Sequence, residues 1–339
     1  MNIVVLAGGL SPEREVSLTS GSLIANALIA NGHRVLLLDV YEGIPTLPDD
    51  PDALFCTEPY PEHSVSEVIP DLEALRHRCG DRDALIGPNV LALCARADKT
   101  FLALHGSIGE NGQLQATLDT HAISYTGSGY AGSLLAMDKD LSKRLFRDAG
   151  VPTPPWVCVD AERSKCQNPA ETVGFPAVVK PCECGSSVGV SMVSNAEELA
   201  AALAEAAKWG NRVLVEKRIY GRELTVGVLD RKALPVVEIL PAEGFYDYKN
   251  KYQGTTREVC PAEIPDEIAR AVSEYALRAF DALRLSGYAR FDFMLDEAGE
   301  AWCLEANSLP GMTPTSLLPQ AASAAGIGYG ELCERIVKL

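Results

Sequence analysis

The segment CLEANSLPGM, residues 303–312, places a carboxylate and a carboxamide two positions apart at the end of an apolar run. Alternate residues of a strand point to the same side, so a strand over AWCLEAN predicts that Glu305 and Asn307 project together with Cys303. The same alternation turns three residues to the other side: Trp302, Leu304 and Ala306. Carboxylate and amide oxygens suit Mg²⁺, which usually keeps substrate phosphates among its ligands.

The segment ARFDFML supplies a second acid, because Arg290 and Asp292 share one face of a strand. A turn near residues 297–299 lets this strand pair with AWCLEAN as a hairpin. Asp292, Glu305 and Asn307 then form one oxygen-rich cluster, with Arg290 beside it. The alternative is three unrelated surface side chains. The occurrence of this pattern on two paired strands favours metal binding.

Two lysines and a glycine-rich segment are candidates for binding an anion. Lys180 closes the apolar strand AVVK and needs an anionic partner if it is buried. The alternative is that its ammonium group reaches the surface, and for Lys139 in AMDKD we favour that alternative. The segment CGSSVGV, residues 184–190, lets backbone N–H groups approach an anion, or it is an ordinary hairpin tip. It lacks the G-K-[ST] ending of a P-loop.

Two acids stand near the end of another apolar strand. Glu216 ends LVEK and Glu223 follows in GREL. An acid at such an edge can accept a hydrogen bond from an adenine amino group or a ribose hydroxyl. The alternative for either residue is a solvated surface acid.

The elements that must position these residues follow from periodicity. NIVVLAGG and RVLLLD are strands on either side of an amphipathic helix, which predicts a βαβ unit and a parallel sheet. FPAVVKPCECGSSVGVSMV indicates a strand, a glycine-rich loop and a strand in a hairpin. NAEELAAALAEAAKWG predicts a helix that Asn195 caps and Gly210 ends. The turn at Gly8 and Gly9 does not match G-x-G-x-x-G, which disfavours an NAD-dependent dehydrogenase.

The amino-acid composition restricts the classes to which the protein can belong. The chain has 339 residues, of which 47% are hydrophobic and 22% charged, as in a globular protein of two or three domains. A net charge of −16 argues against a general nucleic-acid or acidic-membrane partner. The N-terminus resembles no signal peptide, and the ten scattered cysteines indicate free thiols in a reducing cytoplasm.

Taken in order, these segments resemble the D-alanine–D-alanine ligases of the ATP-grasp superfamily over nearly the whole chain. The resemblance rests on an ordered set: SPEREVSLTSG, ALHG, GENGQLQA, YTGSG, AMDKDLSK, VVKPCECGSSVGVS, EKRIYGREL, FYDYKNKY, ARFDFML and LEANSLPGMTPTSL. It implies an α/β (α+β) protein with the ATP-grasp fold and an N-terminal parallel-sheet, Rossmann-like domain. We expect domains over residues 1–127, 128–218 and 219–339. The two cysteines in KPCECGSS depart from the family and raise the question of thiol sensitivity.

The resemblance implies a set of ATP-binding residues. These are Lys139, Lys180, Ser186, Ser187, Glu216, Lys217, Ile219, Glu223, Phe245 and Leu304. It also implies two Mg²⁺ ions, for which Mn²⁺ can substitute, at Asp292, Glu305 and Asn307. Residues 186–189 would close over the phosphates, and residues 245–258 resemble a mobile lid that shuts out water.

The resemblance also implies roles at the amino-acid site. Glu13 would hold the ammonium group of the first D-alanine, and His105 would lie near that substrate. Arg290 and the Gly311 N–H would stabilise an oxyanion. The remaining residues with substrate or catalytic roles would be Ser186, Lys251, Tyr252, Ser316 and Leu317.

The implied activity is Mg-ATP-dependent formation of D-alanyl-D-alanine through an acyl phosphate, for peptidoglycan precursor synthesis. A D-alanine–D-serine ligase of the same fold and an inactive nucleotide-binding regulator are the alternatives. The Lys251-Tyr252 pair resembles peptide-forming ligases, whereas D-lactate ligases lack that tyrosine. We expect a cytoplasmic homodimer that binds D-alanine and ATP and neither nucleic acid nor a membrane.

Overall fold

The computed structural model describes residues 1–63, 70–160, 169–185, 187–240 and 256–339. Within these residues the chain forms one parallel sheet and two antiparallel sheets, as the α/β (α+β) prediction requires. No described helix is both long and apolar enough to cross a membrane. Four residues with predicted roles lie outside the described residues: Ser186, Phe245, Lys251 and Tyr252.

The N-terminal sheet is parallel, with the strand order β2-β1-β3. Strand β1 (Asn2–Ala7) leads into helix α1 (Arg14–Ala30) and then into β2 (Arg34–Asp39), and β3 (Lys99–Leu102) pairs with the other side of β1. The predicted βαβ unit is confirmed. Almost every residue of β1 is buried, because helices and loops cover both faces of a parallel sheet.

Short helices fill the stretch between β2 and the middle of the chain, where the sequence is rich in proline and aspartate. They are α2 (Leu72–Arg78), α3 (Val90–Cys94), α4 (Ser107–Glu110), α5 (Gln113–Thr120) and α6 (Tyr130–Met137). They place GSIGENG beside the carboxyl ends of β1 and β3, the edge at which open parallel sheets bind ligands.

The second sheet is antiparallel, with the order β4-β7-β5-β6. Its strands are β4 (Trp156–Asp160), β5 (Ala177–Pro181), β6 (Ser191–Val193) and β7 (Arg212–Lys217). The predicted hairpin is confirmed, because β5 pairs antiparallel with β6.

Three helices accompany this sheet. They are α7 (Lys139–Asp148), α8 (Pro169–Val173) and α9 (Ala196–Ala206). The predicted cap of α9 is confirmed, since the Asn195 side chain accepts a hydrogen bond from the Glu198 N–H at 2.9 Å. A 3₁₀ turn over Ala207–Trp209 carries the chain from α9 to Gly210.

The third and largest sheet has the order β11-β10-β8-β12-β13, with β9 also paired to β8. Its strands are β8 (Arg222–Leu229), β9 (Lys232–Ala233), β10 (Val237–Leu240), β11 (Arg257–Val259), β12 (Tyr288–Leu295) and β13 (Ala301–Asn307). Helix α10 (Asp266–Ala282) packs on one face of it, over a core that includes Phe291 and Phe293. Helices α11 (Leu317–Ala324) and α12 (Tyr329–Lys338) end the chain.

A β-bulge in β13 overturns one detail of the strand prediction. The register shifts between Asp292, which pairs with Glu305, and Phe293, which pairs with Cys303, so that Leu304 is the extra residue. Cys303 is therefore fully buried in the core together with Ala306, and it does not share a face with Glu305. The prediction that Leu304 faces away from Glu305 was wrong, because both residues line the same cavity.

Gly221, in the turn from β7 to β8, lies against the end of β12. A Cβ atom at Gly221 would lie 1.8 Å from the Leu295 carbonyl oxygen, and its φ is +153°. We expect Gly221→Ala to cost about 3 kcal/mol or more, and thus to lower the melting temperature by roughly 4 °C or more. Gly330→Ala is the matched control, since its nearest atom is 3.6 Å away. Equal melting temperatures for the two variants would contradict this close approach.

Candidate active site

A cavity of about 490 Å³ lies between the two antiparallel sheets. One wall comes from β5, β7 and the loop after β5, and the other comes from β8, β10, β12 and β13. Every described residue to which the resemblance gives an ATP-binding role lines this cavity: Lys139, Lys180, Ser187, Glu216, Lys217, Ile219, Glu223 and Leu304. The structure thus brings them together, and their individual roles stay predictions.

Glu216 lies at the inner wall of this cavity between two lysines. Its Oε1 is 2.6 Å from the Lys180 Nζ and its Oε2 is 2.8 Å from the Lys143 Nζ. The three side chains are at most 9% exposed. The choice left open for Lys180 is therefore settled: it is buried with an anionic partner. Both Glu216 oxygens keep a second lone pair, so a bond to an adenine amino group remains compatible with this arrangement.

The electrostatics of this group leave a surplus of positive charge. Burial acts to raise the pKa of Glu216, but the two ammonium groups outweigh it and lower that pKa. Burial lowers the pKa of Lys143, whereas the pull of Glu216 and Glu305 overcomes burial and raises the pKa of Lys180. Two buried lysines share one buried carboxylate, and this favours an incoming phosphate.

Lys143 was not predicted from the sequence. Its side chain is fully buried, it also donates to the Thr153 hydroxyl at 2.6 Å, and it lies 5.3 Å from the Trp156 ring centroid. The sequence contained one indication that Lys143 belongs to the site: Lys139 and Lys143 are four residues apart and therefore share a face of α7. The prediction for Lys139 favoured the surface and was wrong, since this residue is buried as well.

The predicted cluster of oxygen ligands forms where β12 pairs with β13. The register places Arg290 opposite Asn307 and Asp292 opposite Glu305. Arg290 makes two hydrogen bonds of 2.9 Å to Asp292, and the Asn307 carboxamide donates to Asp292 at 3.0 Å. Glu305 lies 3.4 Å from Lys139, whose Nζ also donates to a backbone carbonyl.

The donor set of this cluster fits a hard cation. Two carboxylates and one carboxamide provide oxygen ligands on neighbouring strands, which suits Mg²⁺ when phosphates supply the rest. Within the described residues, no group of three or more His, Cys, Asp or Glu side chains forms a metal site. The predicted set contains two such residues and needs the nucleotide to complete it.

A second, smaller cavity of about 130 Å³ adjoins the first. It is lined by every described residue to which the resemblance gives a substrate or catalytic role: Glu13, His105, Arg290, Gly311, Ser316 and Leu317. Glu305 lines both cavities and Asn307 lines the smaller one. A group transferred from a bound phosphate can therefore reach the smaller cavity directly.

Glu13 lies where three parts of the chain meet. It directly precedes α1, and its N–H donates to the Ser11 hydroxyl at 3.2 Å. A Cβ atom at Gly106 would come within 2.8 Å of Glu13 Oε2, and one at Gly185 would come within 3.9 Å. The glycine-rich segment after β5 therefore reaches the N-terminal part of the chain beside Glu13, and the next residue in sequence is Ser186, for which a catalytic role is predicted.

Two further titratable side chains line the smaller cavity, namely His105 and Glu110. Burial lowers the pKa of His105, so this side chain is neutral at neutral pH, and its Nε2 has no partner among the described residues. Burial raises the pKa of Glu110 to about 8, and the neighbouring Glu13 adds to this effect. Glu110 was not predicted as a site residue, although it lies in the quoted segment GENGQLQA.

Gly311 and Ser316 are held together by the loop before α11. A Cβ atom at Gly311 would lie 2.9 Å from the Ser316 Oγ, so only glycine allows this approach. The Ser316 hydroxyl accepts a hydrogen bond from the Thr313 N–H at 3.1 Å. A backbone N–H and a hydroxyl at one rim can serve two oxygens of a substrate.

Two antiparallel sheets that enclose a cavity lined by lysines and acids, next to a parallel-sheet domain, define an ATP-grasp protein. The family described as D-ala D-ala ligase N-terminus matches residues 2–128, and D-ala D-ala ligase C-terminus matches residues 145–338. The D-alanine--D-alanine ligase of Pediococcus pentosaceus is 41% identical over 99% of this chain and 97% of its own. That of Lacticaseibacillus casei is 39% identical, over 99% and 95%.

The solved structures agree with the sequence relatives. The D-alanine--D-alanine ligase of Bacillus anthracis complexed with ATP is 30% identical, with a TM-score of 0.75 over 100% of this chain and 96% of its own. This chain therefore belongs to the D-alanine–D-alanine ligase family. It is an ATP-dependent ligase, and the predictions of its family, fold class and enzyme class are confirmed.

Lys143→Met tests the surplus of buried positive charge. Without the Lys143 ammonium group, Lys180 is the one described lysine that pairs with Glu216. The full charge of Glu216 then attracts Lys180, and less of the Lys180 charge is left for a phosphate. We expect ATP to bind about tenfold more weakly, which is about 1.4 kcal/mol. Calorimetric titration with ATP measures this affinity. Lys208→Met is the matched control, because that lysine is exposed and pairs with Glu205 on the surface. Unchanged ATP affinity in Lys143→Met would refute the account.

Glu110→Gln tests the raised pKa of Glu110, which Glu13, Arg290 and Lys139 also influence. The folded-state pKa of about 8 lies above the value of 4.5 that an ordinary glutamate has. The stability that the protonated carboxyl contributes is therefore complete below pH 4.5 and is lost as pH rises through about 8.

We expect the melting temperature of the ligand-free protein to fall between about pH 5 and pH 8, and to fall less in Glu110→Gln. The exposed Glu300→Gln is the control. Parallel pH profiles for Glu110→Gln and the unsubstituted protein would show that Glu110 ionises normally.

Proposed function

We propose that this enzyme joins two molecules of D-alanine by a peptide bond while ATP is converted to ADP and phosphate, and that the product serves peptidoglycan precursor synthesis. One observation carries the proposal: the phosphate end of the ATP cavity meets, at Glu305, a small polar cavity that contains Glu13 and Arg290. A mere nucleotide-binding regulator needs neither of these charged groups. We place this reaction in the cytoplasm, where ATP is available.

In the first step, Glu13 holds the ammonium group of one D-alanine and the carboxylate of that substrate attacks the γ-phosphate of ATP. An acyl phosphate and ADP result. Lys139 and Lys180 compensate the charge on the phosphates, as positioning and electrostatics dominate phosphoryl transfer. Asp292, Glu305 and Asn307 would hold two Mg²⁺ ions, or Mn²⁺ in their place, and these supply further positive charge at the phosphates.

In the second step, the amine of the second D-alanine attacks the acyl carbon and phosphate leaves. Arg290 and the Gly311 N–H stabilise the negative charge that develops on the carbonyl oxygen. Arg290 is well placed because Asp292 fixes its guanidinium group with two hydrogen bonds. Ser316 and Lys251 bind the carboxylate of the second substrate, and Leu317 lies at the wall beside it.

Acyl phosphates react with water, so the site must close during the reaction. We assign this closure to residues 186–189 and to the segment 245–258. Ser186 and Tyr252 link the closed segments to Glu13 through hydrogen bonds. The neutral His105, with its buried Nε2, faces the first D-alanine.

The adenine lies against Phe245 and Leu304, with Glu216, Lys217 and Ile219 at its edge and Glu223 at the ribose. We also propose that the enzyme is a homodimer with domains over residues 1–127, 128–218 and 219–339.

The test is phosphate release from Mg-ATP by the purified protein, with the products identified by mass. D-alanine is supplied alone and then with an excess of D-serine or D-lactate. We expect turnover with D-alanine alone and D-alanyl-D-alanine as the product. Arg290→Ala should lower kcat by about 10²–10³-fold, the effect of removing one oxyanion donor. Arg231→Ala is the control, because Arg231 pairs with Asp281 on the surface.

The other outcomes have definite meanings. Turnover mainly with D-serine would assign the protein to the mixed-dipeptide ligases and point to the surroundings of Ser316. ATP binding without turnover on any pair of substrates would refute the enzyme assignment. Full activity in Arg290→Ala would refute the proposed oxyanion site while leaving the reaction in place.

A further inference from the structure

A pair of cysteines lies beside the ATP cavity without taking part in the proposed reaction. The sulfur atoms of Cys158 and Cys182 are 3.4 Å apart. Cys158 is on β4 and Cys182 directly follows β5, so the pair bridges two strands that β7 separates. In the described part of the chain, no other two sulfur atoms are within hydrogen-bond distance. Cys158 is partly accessible, whereas Cys182 is buried.

The surroundings make the two thiols unequal. The contact with the Cys182 thiol, together with Arg212, lowers the pKa of Cys158 despite its partial burial and the nearby Asp140. The same contact, with burial, raises the pKa of Cys182. By contrast, burial raises the pKa of Cys184, Cys260 and Cys303. Cys158 therefore has more thiolate character than these thiols, and the thiolate is the reactive form.

The pair is connected to the phosphate end of the ATP cavity through the backbone. The Cys182 carbonyl accepts a hydrogen bond from the Lys139 N–H at 3.0 Å, and the Lys139 Nζ donates to the Cys184 carbonyl at 2.7 Å. Asp138, which caps α7 in front of Lys139, also pairs with Arg212. A displacement of Cys182 would therefore displace a lysine that lines the ATP cavity.

We propose that Cys158 and Cys182 are a peroxide-reactive modification site that closes to a disulfide beside the ATP cavity. The sulfur atoms are 3.4 Å apart, whereas a disulfide bond is about 2.05 Å long. Because β7 lies between the two strands, the bond forms only when the backbone at Cys182 moves towards β4. Hydrogen peroxide is the oxidant, because a small neutral electrophile can reach a partly accessible thiolate.

Two steps account for every atom and electron. The Cys158 thiolate attacks one oxygen of hydrogen peroxide, the O–O bond breaks, and the leaving hydroxide takes a proton to become water. Cys158 is now a sulfenic acid, and the peroxide is reduced. The Cys182 sulfur then attacks the Cys158 sulfur while its own proton goes to the departing hydroxyl, so the S–O bond breaks, the S–S bond forms and a second water leaves. One peroxide is consumed and two waters are produced.

The disulfide should weaken the ligase activity, an effect that rests on the proposed function. A displacement of about 1 Å in a residue that positions a reacting group can cost 10²-fold in rate. We therefore expect oxidation to lower kcat/KM for ATP by about tenfold or more. A reductant should restore it, because the disulfide is reversible.

The experiment treats the intact, reduced protein with stoichiometric hydrogen peroxide and measures its mass and its cysteine-containing peptides. We expect the loss of two hydrogens, about 2 Da, and a cross-link between the peptides of Cys158 and Cys182. Cys158→Ser should abolish the cross-link. Cys79→Ser, at the end of α2, is the control and should keep it. Cys182→Ser should stop at a sulfenic acid on Cys158, which a dimedone label detects and which serves as a second readout.

The covalent and kinetic readouts separate the two proposals. No cross-link together with an unlabelled Cys158 in Cys182→Ser would overturn the modification site, whatever the activity. A cross-link between other cysteines would overturn it as well. A Cys158–Cys182 cross-link in a protein that shows no ligase turnover would support the modification site and count against the proposed function alone. Equal activity of the oxidised and reduced proteins would overturn the predicted effect on ATP.

Discussion

The pairing of β12 with β13, with one extra residue at Leu304, is the constraint on which the site depends. It places Asp292 opposite Glu305 and Arg290 opposite Asn307, so four polar side chains meet on one face of the largest sheet. The bulge also turns Leu304 towards the ATP cavity and Cys303 into the core. Leu304, an apolar wall residue, and Glu305, an oxygen ligand, are thus consecutive residues of one strand. Without the bulge, strand alternation would send them to opposite faces.

The charges around this hairpin explain how a strongly acidic protein binds a polyanion. The net charge of −16 is spread over the chain, but Lys139 and Lys180 line the ATP cavity, and Lys143 pairs with Glu216 of its wall. All three lysines are buried. Glu216 makes the burial of Lys143 and Lys180 tolerable, because an unpaired ammonium group in such a place would tend to lose its proton. One carboxylate for two lysines leaves an attraction that a phosphate satisfies. The local charge, rather than the total, decides what binds.

Much of this arrangement could be predicted from the sequence. The βαβ unit, the β5–β6 hairpin, the capped helix α9 and the pairing of ARFDFML with AWCLEAN follow from periodicity and turn residues. The bulge could not be predicted, because it depends on how β12 and β13 fit over the core, and both registers satisfy the local pattern. Lys143 and Glu110 were not predicted for a related reason. Each is an ionisable residue in a helix, and elements distant in sequence decide its surroundings.

We propose that the two cavities share one reaction, in which the carboxylate of the first D-alanine takes the γ-phosphate. The most direct test uses D-alanine with ¹⁸O in its carboxyl group and follows the label by mass spectrometry. We predict that each dipeptide formed is accompanied by the transfer of one ¹⁸O atom to the released phosphate, because the C–O bond of the acyl phosphate breaks when the amine attacks. Phosphate without ¹⁸O, or the label in AMP, would contradict it.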